Sequence, residues 1–129
     1  MTQEDKELLL KDLCSRLPYK PIVHIDNCGI WDLRGVDHDD SAELRDRVIV
    51  WKGENYPSSK NSFPIINCKP YLFPLSSMTD EQKIDIDLIA SSSSTVLSDV
   101  VDFYNKHHLD YGGLINKGLA IDATGMDIY

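Results

Sequence analysis

The sequence predicts an α+β fold: one domain over residues 1–129, with an N-terminal helix, a three- to four-stranded antiparallel meander, two C-terminal helices and a short tail. The meander is expected either as an open twisted sheet or rolled toward a barrel-like form. Three observations predict this class. Apolar residues recur at helical spacing before Pro18. Residues 21–75 then change to short β-branched and aromatic runs separated by turn residues, and at Thr79 a helix-start signal returns. Strands gathered between helices, rather than alternating with them, are the mark of an α+β chain.

The first helix opens at Thr2, whose hydroxyl can cap it with Asp5 as the capping-box partner, and Glu4, Asp5 and Glu7 suit the positive end of the helix dipole. Leu10, Leu13, Cys14 and Leu17 fall at i, i+3, i+4 and i+7 and form the expected core stripe, with Leu9 at its edge. Glu7 with Lys11 and Asp12 with Arg16 are acid-before-base pairs expected on the outer surface, worth about 0.2–0.5 kcal/mol each. Pro18 and Pro21 stop the helix.

Residues 22–25 and 30–36 flank Asp26-Asn27-Cys28-Gly29, a hairpin connection ending in a glycine able to take positive φ. Residues 47–52 make a third strand. A fourth, over residues 63–72, contains Pro64 and Pro70, with Pro74 beyond, and is expected at an edge or in bent segments. Residues 37–46 and 53–62 are the links.

Thr79-Asp80-Glu81-Gln82 is a capping box with acids in the first turn, so a helix should run from there to about residue 90. Residues 91–95 are all hydroxyl-bearing, with high turn preference and nothing to add to a core. The last helix is capped at Ser94 or Ser98, shows Leu97, Val100, Val101, Tyr104 and His108 on one face, and ends near Leu109. After the turn Asp110-Tyr111-Gly112-Gly113, the run Leu114-Ile115-Asn116-Lys117-Gly118 fits one helical turn with Gly118 at the C′ position. Leu119-Ala120-Ile121 can then tuck inward.

With 42% hydrophobic and 26% charged residues the composition is that of a globular domain. The longest apolar run is Val48-Ile49-Val50-Trp51, far short of the ~20 residues of a membrane span. No membrane partner is expected. The acidic start argues against a secretory leader. Cys14, Cys28 and Cys68 are odd in number and form no C-x-x-C, so they are expected as reduced thiols in a cytoplasmic protein. The net charge is −8, and residues 76–129 hold three basic and nine acidic groups. That sign opposes the phosphate contacts on which nucleic-acid binding depends, and no nucleic-acid partner is expected.

Candidate chemistry is sparse. Asp37-His38-Asp39-Asp40 concentrates potential metal ligands, but consecutive loop residues rarely converge on one ion, and the run reads as an acidic turn. His107 and His108 point about 100° apart on a helix and are poorly placed to chelate together. Asp99 and Asp102 share a helix face, yet Lys106 and the helix N-terminus account for them. Cys28 with His24 is conceivable on the hairpin, without a recognisable elbow motif. No phosphate-cradling glycine motif occurs. No catalytic residue, metal or cofactor is therefore assigned. Trp31 and Tyr71 read as core. Trp51 and Tyr56, at a strand end and the loop after it, are the candidate partner-binding residues, because Trp and Tyr dominate protein interfaces.

Residues 1–14 (MTQEDKELLLKDLC), 69–79 (KPYLFPLSSMT) and 108–121 (HLDYGGLINKGLAI) resemble a family of small uncharacterised proteins of gut anaerobes and their phages. The resemblance implies a small cytoplasmic protein associated with phages or mobile elements, and it transfers no activity, cofactor or catalytic residue.

The function expected from the sequence is a noncatalytic protein-interaction module, meeting a protein partner through the sheet edge near Trp51 and Tyr56 or through the acidic C-terminal surface. The alternative is a small metal-dependent hydrolase using the loop Asp37, His38, Asp39 and Asp40.

Overall fold

The computed structural model describes residues 2–37, 47–51, 61–91 and 97–129. Helix α1 (Gln3–Arg16) starts as its sequence dictates, with the Thr2 hydroxyl accepting from Asp5 N at 3.1 Å. Four strands follow as a meander: β1 (Ile22–Ile25), β2 (Gly29–Asp37), β3 (Arg47–Trp51) and β4 (Asn61–Pro64). In the β1–β2 connection Asn27 and Gly29 take φ values of 65° and 86°, the left-handed region that this turn requires.

Strand β5 (Cys68–Pro74) leaves the meander and pairs antiparallel with β1, placing Val23 opposite Pro70 and Ile25 opposite Cys68. The expected single strand over residues 63–72 is thus two strands broken by a 3-10 turn at Ile65–Asn67. Only its first half lies at an edge, since β5 is flanked by β1 on one side. On the other side, β6 (Leu109–Asp110) and β7 (Ile121–Asp122) add short parallel pairings. Among the described residues the order is β4-β3-β2-β1-β5-β6, with β7 on β5, which makes the sheet seven-stranded and mixed.

Of the two forms open to the meander, the barrel-like one does not close. Three residues join β4 to β5 and reach at most about 14 Å, whereas four flat strand spacings cover about 19 Å. The sheet must therefore coil until these two strands approach, and buried Ile65 fills the bend. No β4–β5 ladder completes the circle.

One face of the coiled sheet carries Val23, Ile25, Leu33, Val48, Val50, Cys68 and Leu72, all buried against Leu9 and Leu13 of α1. The inward face of α1 differs from the expected stripe: Leu9, Asp12, Leu13 and Arg16 are buried, while Cys14 is exposed. Asp12 and Arg16 do not form the expected surface pair. Arg16 Nε donates to Asp12 Oδ2 at 2.8 Å, and its Nη2 donates to Asp12 Oδ1 at 3.1 Å and to Leu109 O at 2.7 Å. The guanidinium also lies over the Tyr111 ring, 5.2 Å from its centroid.

Helices α2 (Asp80–Ser91) and α3 (Leu97–Lys106) pack beyond the end of β5 around a second cluster of Ile86, Phe103 and Leu109. Ser98 lies inside α3 rather than capping it, and Ser94 falls outside the described residues. Phe103, absent from the expected apolar face, is buried on α3 together with Asn105, and His108 has left the helix with a φ of 56°. The turn at 114–118 forms as expected: Gly118 has a φ of 74°, Leu119 N donates back to Leu114 O at 2.9 Å, and Leu119 and Ala120 are buried.

The capping box of α2 closes reciprocally. Gln82 N donates to Thr79 Oγ1 at 3.1 Å and Thr79 N donates to Gln82 Oε1 at 3.0 Å. Thr79→Ala is expected to cost about 1 kcal/mol and to speed hydrogen exchange at the Gln82 amide relative to the middle of α2. An unchanged urea midpoint would show that the box contributes nothing.

Candidate functional site

Helix α2 carries apolar residues on two sides. Ile86 is buried and Ile89 half-buried against the Phe103–Leu109 cluster, whereas Ile84 and Leu88 are 60% and 65% exposed. At about 100° per residue, Ile84 and Leu88 form one outward stripe. Exposed Glu81 and Asp85 flank it on one side, and exposed Asp80 and Asp87 on the other. An apolar strip between two rows of carboxylates costs solvation that packing among the described residues does not return, while it matches an apolar partner surface with basic margins.

Two depressions adjoin this helix and meet at His107. One, of about 360 Å³, lies between α2 and α3 and is lined by Asp85, Leu88, Ile89, Phe103, Lys106 and His107. The other, of about 300 Å³, lies at the start of α2 over Phe73 and Leu109, with Ser77, Thr79, Gln82 and Thr124 on its rim. His107 is fixed between them by Phe103, whose ring centroid is 4.6 Å away, and by Gln82 Nε2, which donates to its Nδ1 over 3.4 Å. Burial lowers the His107 pKa below its ordinary value, Lys106 adds to the effect and Asp85 opposes it, so the fold favours the neutral ring.

A third depression, of about 550 Å³, contains Asp110 and Asp122, but both carboxylates are already engaged. Asp110 accepts from Leu114 N and Ile115 N at 2.8 and 2.9 Å, and Asp122 accepts from Thr124 N and its hydroxyl. Their role is to hold the C-terminal turns.

His108 lines neither depression beside α2. Its ring stacks on Tyr129 with centroids 3.5 Å apart, and burial, Arg16 and His107 together push its pKa down to about 4. The Tyr129 hydroxyl, pushed up to about 12 mainly by burial, accepts from Ile22 N and donates to Tyr71 O, each at 2.9 Å. It thereby closes the end of the β1–β5 ladder.

Trp51 closes β3 opposite Asp32, one strand in from the β4 edge, and is half-buried with the Arg34 guanidinium 5.0 Å from its ring centroid. Tyr56 lies outside the described residues. Asp37 ends β2 opposite Arg47, and His38, Asp39 and Asp40 also lie outside the described residues. Among the described residues, no three His, Cys, Asp or Glu side chains gather as a metal site. His24 faces Tyr71, its Nδ1 3.3 Å from the hydroxyl, while Cys28 is exposed in the turn. Burial pushes the Cys68 thiol up to about 12, with Asp26 adding to it. Asp99 and Asp102 sit exposed on α3.

Ile84, Leu88 and His107 were not singled out from the sequence as partner-binding residues. A signal was nevertheless present, because apolar residues at 84 and 88 and at 86 and 89 mark two opposite sides of one helix, more than a helix packed on one side needs. Comparisons with family models, with curated proteins and with solved structures found no match to this chain.

Proposed function

We propose that this chain is a noncatalytic protein-interaction module that works in the cytoplasm and receives its partner on the outward face of α2. The observation that carries the reading is the Ile84–Leu88 stripe, exposed on a helix whose cap and inner face are fully engaged. The net charge of −6 over residues 76–129 supports a partner of opposite sign. Exposed Cys14 and Cys28, without a disulfide among the described residues, suit a reducing compartment. Among the described residues no helix is long and apolar enough to cross a membrane.

A photo-crosslinking amino acid at position 88 tests this in a native lysate. The expected result is one stoichiometric adduct, lost when Ile84→Ser is added. Ile84→Ser/Leu88→Ser should change folding stability by no more than about 0.5 kcal/mol, as surface substitutions do, while abolishing capture of that partner. Absence of any adduct, or capture that survives the double substitution, would overturn the proposal.

A further inference from the structure

Resting on that reading of α2, we infer that the docking element is a basic amphipathic helix of a partner protein, laid along the outward Ile84–Leu88 face of α2 beside the depression between α2 and α3. The α2 backbone is spent within its own helix, so it offers no ladder to an extended peptide. Recognition must run through side chains. Ile84 and Leu88 stand one turn apart, the spacing at which a second helix presents its own apolar residues at i, i+3 and i+4. Leu88 also lines the depression of about 360 Å³ over Ile89 and Phe103, which gives one apolar side chain of the incoming helix a seat beside the stripe.

Charge sets the margins. Glu81 and Asp85 on one side, and Asp80 and Asp87 on the other, call for basic residues on both flanks of the incoming helix. A second copy of this chain is the wrong occupant. Face-to-face pairing of two α2 stripes would oppose carboxylate rows with no added cations except Lys83 and Lys106. At the inner wall Lys106 and Asp85 both line the depression, so that seat takes an apolar side chain and the basic residues of the incoming helix lie over the carboxylate rows of α2.

The test uses the full chain and three synthetic 18-residue peptides: leucine at helical spacing flanked by arginine, a scramble of the same composition, and the leucine pattern flanked by glutamate. The arginine helix should bind at least about tenfold more tightly than the scramble. Its affinity should fall about tenfold or more from 50 to 300 mM salt as screening grows. It should weaken about tenfold on Ile84→Ser/Leu88→Ser, and it should shift the NMR signals of Leu88, Phe103 and His107. Equal binding of the scramble, or of the doubly substituted chain, would reduce the effect to net charge and overturn the inference. Binding of the glutamate helix, or a dimer that covers position 88, would overturn it as well. If the crosslinked adduct persists while no peptide preference appears, the docking face stands and the basic-helix partner falls.

Discussion

Arg16→Met is expected to destabilise the fold by about 3–5 kcal/mol, the cost of leaving a buried carboxylate without its cation. Asp12 and Arg16 are both buried, and the guanidinium makes three hydrogen bonds that tie α1 to itself and to Leu109 at the start of β6. Burial raises the Asp12 pKa even against the pull of Arg16, so desolvation outweighs attraction at this carboxylate. The double substitution Asp12→Leu/Arg16→Met should therefore recover most of the loss, because it removes the stranded charge along with the pair. At roughly 3–5 °C per kcal/mol for a chain of this size, the single variant should melt on the order of 10–20 °C below the native chain. Urea denaturation and thermal melts of the two variants measure this. A single variant within about 1 kcal/mol of native would show that water reaches Asp12.

The second large effect is acid sensitivity through His108. Its pKa is about 4 in the folded chain against an ordinary 6.5, so the fold favours the neutral ring and the unfolded chain binds the proton more readily. That contribution is fully present above pH 6.5 and is lost as pH falls from 6.5 to about 4. One unit corresponds to ~1.4 kcal/mol. His108 keeps some solvent contact that screens the effect, which leaves a loss of about 2 kcal/mol. Asn tolerates the left-handed backbone at this position, so His108→Asn removes the titration without straining the chain. Between pH 7.5 and 4.5 the native chain should lose about 2 kcal/mol more than the variant. The carboxylates and His107 titrate in both proteins and cancel in the difference. Parallel pH profiles would show that Tyr129 does not hold the His108 ring in its neutral form.

Much of the fold was legible because its signals are local. The Thr2 and Thr79 caps, the glycine-ended hairpin, the three meander strands and the Gly118 turn each depend on residues within a few positions of one another. Trp51 was legible as a strand-end residue, but not its cover by Arg34, which comes from the neighbouring strand. The candidate groove was only half legible. Two apolar sides of α2 can be counted in the sequence, yet which side meets Phe103 is fixed by a helix that starts at residue 97.

The sequence by itself determined the α+β class, the elements and their caps, and the acidic C-terminal half, since composition and short-range periodicity carry all of these. Tertiary structure alone decided which face of α1 turns inward. Two stripes overlap on that helix, and the one read from apolar count runs through Leu10, Leu13, Cys14 and Leu17 with Leu9 at its edge, of which only Cys14 stands exposed. The one the fold buries runs through Leu9, Leu13 and the Asp12–Arg16 pair. Periodicity counts charged residues against burial. Their acceptability inside depends on a carbonyl at Leu109 and a ring at Tyr111, more than 90 residues away, which only the folded chain brings within reach.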